Sequence, residues 1–299
     1  MRAVLLSETG GPEVLRVVDV PQPELGDGEV LIAVRAASIN PIDWKFRRGL
    51  APKALPAVLG NDVSGVVAQS RADEFTEGDE VFGFSPTGGY AEFAAAPAQA
   101  IAKKPVGVSH EQAAALPVSG LTAWQALFDR GGLQRGQSLL VAGAAGGVGH
   151  FAVQFGRHAG AYVIGTGSAR NRDFVLGLGA DEFVDYTSQD VADAVGDVDV
   201  VVDTVGGATT ETLVPTLRAG GVIVVIANAP PEAEAAERGA RAELLSMSVN
   251  QQQLVDVAEL VATGEVKPKI AQTFPLDEVV KAHELSEAGH TRGKLILEL

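Results

Sequence analysis

Two stretches of this chain combine residue types and spacing that could hold a nucleotide. The first is Gly143-Ala144-Ala145-Gly146-Gly147-Val148-Gly149, which follows the apolar run Leu139–Ala142 and leads into a helix-compatible segment, Val148–Ala159. Small residues let the backbone turn tightly and come close to a pyrophosphate, and a helix N-terminus adds free N–H groups and a favourable dipole. A glycine cluster alone says little. Here a strand precedes it, a helix follows and a second strand ends near Thr166, which is the context of a dinucleotide-binding loop. Ala144 departs from the usual G-x-G-x-x-G pattern by one methyl group.

The second stretch lies just beyond that second strand: Gly167-Ser168-Ala169-Arg170-Asn171-Arg172. A site for NAD usually carries Asp or Glu here, for the ribose hydroxyls. This chain has no carboxylate until Asp173 and offers a hydroxyl and two guanidinium groups instead. A carboxylate repels a 2′-phosphate, whereas each charge-assisted Arg contact contributes roughly 1.5–3 kcal/mol. NADP(H) is therefore the expected cofactor. The alternative is that Arg170 and Arg172 are solvated residues opening a helix.

These loops need a scaffold. From about Leu116, strands Leu139–Ala142, Tyr162–Thr166, Glu182–Val184, Val198–Val202 and Val222–Ala227 alternate with helical stretches, which predicts a parallel sheet with crossover helices. The helices are Val148–Ala159, Asn171–Leu178, Thr209–Leu217 and Gln251–Ala262. Before Leu116 the chain reads as short strands cut by Gly and Pro: Ala3–Leu6, Leu15–Val20, Glu29–Ala36, Val63–Ala68, Glu80–Phe84 and Tyr90–Ala94. A helix at Asp277–Glu287 and a strand at Lys294–Leu299 close the chain. The expected division is residues 1–115 for a mainly β unit, 116–265 for a Rossmann-type doubly wound α/β unit, and 266–299 rejoining the first.

Composition removes several function classes. A formal charge of -15 opposes a polyphosphate surface, so nucleic acid is not an expected partner. The absence of cysteine excludes disulfides, thiolate nucleophiles and cysteine-ligated zinc. No apolar run approaches a membrane span, and Met1–Pro21 lacks the hydrophobic region of a signal peptide; a cytoplasmic location is expected. The five histidines show no metal-like spacing and no evident triad. His150 reads as positional, and His283 and His290 as helix or surface residues.

With these residues in hand, the chain resembles the zinc-independent quinone oxidoreductases of the medium-chain dehydrogenase/reductase superfamily, the group that includes zeta-crystallin. The resemblance is carried by Ala37-Ser38-Ile39-Asn40-Pro41-Ile42-Asp43, Leu59-Gly60-Asn61-Asp62-Val63-Ser64-Gly65, Gly88-Gly89-Tyr90-Ala91-Glu92, Ser119-Gly120-Leu121-Thr122-Ala123-Trp124, the glycine loop and Gly293-Lys294-Leu295-Ile296-Leu297. It implies a GroES-like substrate domain beside the Rossmann-type unit, and a homodimer. It also implies that Thr122 lies near the nicotinamide, and Ser168, Arg170 and Arg172 near the adenosine phosphate. Tyr186 would stand at the cofactor's edge, with Val205-Gly206 and Ala227-Asn228 completing the cleft. The zinc-dependent alcohol dehydrogenases of the superfamily place a ligand Cys where this chain has Asn40, and Gly-His-Glu where it has Gly60-Asn61-Asp62. No metal is expected. Without a Lewis acid to stabilise an alkoxide, the expectation moves from alcohols to quinones and conjugated carbonyls.

For that chemistry Asn40 can donate an amide N–H toward nicotinamide or substrate, and Asp43 can orient its neighbourhood. Asn-Pro followed by Asp is also ordinary turn chemistry. Lys45 is a weaker candidate: a desolvated ammonium could stabilise an enolate or donate a proton, but Arg47 and Arg48 make the segment look like a basic surface turn. The leading expectation is NADPH-dependent reduction of quinones or α,β-unsaturated carbonyl compounds. The rivals are an enoyl-thioester reductase and a noncatalytic NADPH-binding sensor or structural protein.

Overall fold

Branched and small apolar residues alternate through the first third of the chain, and the computed structural model, which describes residues 1–299, folds them into strands. These are β1 (Arg2–Leu6), β2 (Arg16–Asp19), β3 (Glu29–Ile39), β4 (Ala57–Val58), β5 (Asp62–Ser70), β6 (Glu80–Phe84), β7 (Phe93–Pro97) and β8 (Ile101–Lys103). Helix α1 (Pro41–Arg47) follows β3 directly, with Pro41 at its first position, where a missing N–H costs nothing. Asn40-Pro41 is thus a helix start, not a free turn. Short helix α2 (His110–Ala114) and helix α3 (Pro117–Trp124) come next, and α3 runs on into a π-helical stretch, Gln125–Arg130.

The second unit, Thr122–Ser248, is built on β9 (Ser138–Ala142), β10 (Tyr162–Gly167), β11 (Glu182–Asp185), β12 (Val198–Asp203), β13 (Leu217–Val225) and β14 (Arg241–Leu244). All neighbours are parallel, in the order β11-β10-β9-β12-β13-β14. Counted from its own first strand that order is 3-2-1-4-5-6, the doubly wound Rossmann arrangement, with the direction of winding reversing at β9. Leu139–Ala142, Val200–Val202 and Ile223–Val225 are buried on both faces, which is why these strands read as continuous apolar runs. Strand β14, Arg-Ala-Glu-Leu, is too polar and short to show in the sequence pattern.

The first unit comprises Met1–Leu121 and Val249–Leu299. Its last strands are β15 (Ile270–Pro275) and β16 (Lys294–Glu298). One sheet runs β15-β16-β3-β5-β6-β8, with β7 also on β3, and a smaller one runs β2-β1-β4. All pairs are antiparallel except β15 with β16. Leu6, Ile32, Leu59, Val63, Ile101, Phe274 and Leu297 share its core. The crossings at 121/122 and 248/249 differ from the expected 115/116 and 265/266. Helix Gln251–Ala262 belongs with the first unit, where the Gln251 side chain donates to the carbonyls of Ala98 and Ile101. Its apolar spacing fits a helix in either unit, so periodicity alone does not say where it packs.

Candidate functional site

In the second unit the expected cofactor residues gather at the carboxyl ends of adjacent strands, the edge at which open α/β sheets bind ligands. The glycine loop leaves β9 and enters α4 (Gly149–His158). It is held by Ala144 N–H donating to Thr166 O (3.0 Å) and Gly146 N–H to Gly143 O (2.9 Å), and a Cβ on Gly149 would lie 2.1 Å from the Gly143 carbonyl. Only glycine lets the helix start fold back so closely. Gly146, Gly147 and Val148 are partly exposed, whereas Ala144 and Gly149 are buried beneath them. A backbone strip open to a phosphate at a helix N-terminus is what a dinucleotide requires, so the residues present fit that group. His150 is positional, as expected: buried, it sets its Nδ1 2.9 Å from Gly146 O.

Ser168 follows β10 and Tyr186 follows β11, whose last residues Gly167 and Asp185 are in register. Ser168, Arg170 and Tyr186 therefore stand on one edge; Arg170 and Tyr186 are exposed. Arg172 opens helix α5 (Arg172–Gly177), with its guanidinium over the Phe183 ring (5.8 Å) and near Phe183 O (3.4 Å). Asp185 is a neighbour that strand-end reasoning overlooked. Its carboxylate accepts from Thr187 N–H (3.0 Å) and Oγ1 (2.7 Å) and from Ser188, bonds that hold its pKa below the usual carboxylate value. Farther along, buried Asp203 at the end of β12 accepts from the N–H groups of Val205 and Gly206 (2.9 Å each) and from Thr210 Oγ1 (2.6 Å). Asn228, after β13, accepts from Gly207 N–H (3.2 Å), which joins Ala227-Asn228 to the Val205-Gly206 turn. Thr122, in α3, is 7 % exposed.

In the first unit Asn40 caps α1 and is almost wholly buried. Its Nδ2 donates to Asp62 Oδ2 (2.8 Å), and its Oδ1 accepts from the ammonium of Lys294. Asp43 Oδ2 accepts the Asn40 N–H (2.8 Å) and the Tyr90 hydroxyl (2.7 Å), while its Oδ1 is buried without a partner. Burial raises the Asp43 pKa to about 6, against the opposing pull of the two hydrogen bonds; Asp62 is raised and Lys294 lowered for the same reason, loss of water. The burial of Lys294 and Tyr90 is a finding beyond the sequence reading. Tyr90 precedes β7 instead of lying within a strand, and its ring fills space left by Gly60. At φ +79°, a Cβ there would be 2.3 Å from two ring atoms.

The basic surface turn expected around Lys45 is also corrected. Lys45 is half-buried above the Trp44 ring (5.8 Å), Arg48 is exposed, but Arg47 is fully buried, donating to Gly10 O (2.7 Å) and paired with Glu287. His283 is a helix residue but not a surface one: it is fully buried, its ring edge-on to Tyr90, and burial lowers its pKa to about 3. The fold also brings together Ser64, His110 and Glu80, a set with no sequence spacing to announce it. His110 Nδ1 is 2.8 Å from Ser64 Oγ and its Nε2 is 3.2 Å from Glu80. This is not a hydrolytic triad, because Ser64 is fully buried and its hydroxyl donates to Val81 O (3.0 Å). The imidazole must then donate to the serine instead of taking its proton.

No three His, Cys, Asp or Glu side chains converge as a metal site. At the positions matching zinc ligands in the superfamily, the Asn40 oxygen already faces an ammonium and Asp62 is engaged by Ser38, Asn40 and Val118. That donor set does not fit zinc. No helix is long and apolar enough to cross a membrane.

Comparison with known proteins accords with this architecture. Residues 26–106 match the alcohol dehydrogenase GroES-like domain family, and residues 178–297 match the zinc-binding dehydrogenase family. The chain is 33% identical to an NADPH-dependent alkenal/one oxidoreductase of Arabidopsis thaliana, over 99% of this chain and 79% of that protein. A solved quinone oxidoreductase from Coxiella burnetii superposes with a TM-score of 0.94 at 37% identity, covering 100% of this chain and 99% of that one. A mycobacterial protein solved in complex with NADPH gives 0.90 at 31%, with both chains fully covered. Strand order, a GroES-like first unit and full-length likeness at such identities make this chain a member of the quinone oxidoreductase family within the medium-chain dehydrogenase/reductase superfamily.

Proposed function

We propose that the protein reduces quinones or α,β-unsaturated carbonyl compounds at the expense of NADPH. The observation that carries this reading is the edge at β10 and β11, where Ser168 and exposed Arg170 stand in place of the acid expected of an NAD site, and where Asp185 is bound up with Thr187 and Ser188. The names of its relatives support it: one is a quinone oxidoreductase and one acts on alkenals and enones with NADPH. NADPH, when bound, supplies a hydride. Gly146, Gly147, Val148 and Gly149 would hold its pyrophosphate. Ser168, Arg170, Arg172 and Tyr186 would take the adenosine end, and Val205-Gly206 and Ala227-Asn228 would line the rest.

Asn40 and Thr122 are assigned to the nicotinamide end, with Asp43 behind Asn40. The chain's task there is to orient: rigid donors at the acceptor favour charge developing on a carbonyl oxygen. Lys45 or solvent provides the proton that completes the reduction. We read the enzyme as a cytoplasmic homodimer, from its cysteine-free composition and its resemblance to the family.

The test is NADPH oxidation against quinones, enones, alkenals and enoyl thioesters, with NADH in parallel. Turnover with NADPH and a quinone or enone is expected, and Arg170→Ala/Arg172→Ala should weaken NADPH binding far more than NADH binding. Equal losses for the two cofactors would refute the phosphate assignment. Turnover confined to enoyl thioesters would move the substrate class to that rival.

A further inference from the structure

Lys294 opens β16 and is 2 % exposed. Its ammonium donates to Ser119 Oγ (2.9 Å), to Asn40 Oδ1 and, at a longer 3.4 Å, to Ile39 O. An ammonium has three hydrogens and all are committed, so Lys294 has none left to give a substrate. Across the Asn40 carboxamide stands Asp62, fully buried. It accepts Asn40 Nδ2 (2.8 Å) and Ser38 Oγ (3.1 Å) on one oxygen, and Val118 N–H (3.0 Å) on the other.

The carboxamide therefore lies between a fixed cation and a fixed anion. Turned over, its N–H groups would face the ammonium and its oxygen the carboxylate. Both contacts would be repulsive, in a place where burial keeps bulk solvent from screening them. Buried opposite charges usually add little net stability over well-packed apolar residues. What they add here is a preferred sense for an otherwise nearly symmetric group.

We propose that Lys294 is a positioning residue: with Asp62 it locks the Asn40 carboxamide in one orientation, leaving one Nδ2 hydrogen in a fixed direction for the reacting end of a bound molecule. The inference rests on the reading of Asn40 as a residue of the nicotinamide end. It goes beyond that reading by assigning the orientation of the donor to a residue 254 positions away in the chain.

The test uses the full chain. Lys294→Met alone strands a buried carboxylate and risks unfolding, so the decisive variant is Lys294→Gln/Asp62→Asn, which removes both charges and keeps hydrogen-bonding groups in place. The first readout needs no cofactor: the Asn40 side-chain amide resonances, identified by their loss in Asn40→Asp. Wild type should show one pair of dispersed proton signals, and the neutral variant a second set or exchange broadening. The second is steady-state turnover: kcat should fall ~10- to 100-fold, as expected for a mispositioned donor, while NADPH Kd stays within ~3-fold. Unchanged Asn40 signals, or kcat within about 2-fold of wild type, overturns the lock. If wild type shows no NADPH-dependent turnover at all, the redox reading fails, and the amide signals alone still decide whether Lys294 orients Asn40.

Discussion

Replacing Asp43 by Asn isolates what it costs to hold a carboxyl group in the core of the first unit. Asp43 ionises near 3.8 when exposed and near 6 in the fold, because burial outweighs its bonds to Asn40 N–H and Tyr90, and one of its oxygens has no donor. A shift of about two units corresponds to roughly 3 kcal/mol. Its sign follows from proton counts. Below the unfolded value both states carry the proton and the contribution is fully present. As pH rises toward 6 the unfolded chain has released the proton while the folded one retains it, so stability falls with pH and the loss is complete above that value. His283 works the other way, since its pKa drops from 6.5 to about 3, chiefly through burial and then through Arg47. It stabilises above 6.5 and loses that contribution as pH falls toward 3. Between about pH 4 and 6 the two slopes oppose one another, so the wild-type curve conceals both.

The difference between proteins reveals them. Asp43→Asn keeps an oxygen for Tyr90 and Asn40 and removes the titration, so its stability relative to wild type should improve by about 2–3 kcal/mol between pH 4 and pH 8. Urea melts read this for the first unit if Trp124 is changed to Phe in both proteins. That leaves Trp44 in α1, one of only two tryptophans, as the reporter. Wild-type and variant curves that stay parallel across this range would refute the assignment of Asp43 as a buried group with a raised pKa.

Three other substitutions probe separate contacts. Gly60→Ala puts a methyl group against the Tyr90 ring at a positive φ and should cost about 2–4 kcal/mol in the same Trp44-reported melts. A loss under about 0.5 kcal/mol would mean the ring has room to move. Asp203→Ala strips acceptors from Val205 N–H, Gly206 N–H and Thr210, and should lower stability by about 2–3 kcal/mol and weaken NADPH binding measured by fluorescence titration. Lys45→Ala should lower the enone-reduction rate substantially in stopped-assay turnover, and unchanged turnover removes Lys45 from the mechanism and leaves solvent as the proton source.

Much of this was legible along the chain. The doubly wound unit announces itself because strands buried on both faces must be apolar throughout, and Leu139–Ala142, Val200–Val202 and Val222–Val225 are. The glycine loop is readable because close approach admits no side chain, and the strand-end turns because Ser168 and Tyr186 follow their strands directly. Helix Gln251–Ala262 shows the limit: its boundaries match the expected ones, but the residues that receive it, Ala98 and Ile101, lie far upstream. Local composition makes Arg47 look like part of a basic surface turn and His283 like a helix or surface residue; His283 is helical, but the fold buries both side chains against distant partners.

Local sequence therefore determined the elements, the backbone cradle and the chemical types at the strand ends, since those depend on neighbours a few residues away. Only the tertiary structure decided which polar groups lose water and which partner each one meets. Asn40, Asp62 and Lys294 are separated by up to 254 positions, yet the pairing of β16 with β3 and of β3 with β5 sets them side by side. Desolvation and electrostatic attraction act over a few ångströms of space, whatever the distance along the chain, and so the orientation of Asn40 and the titration of Asp43 belong to the fold.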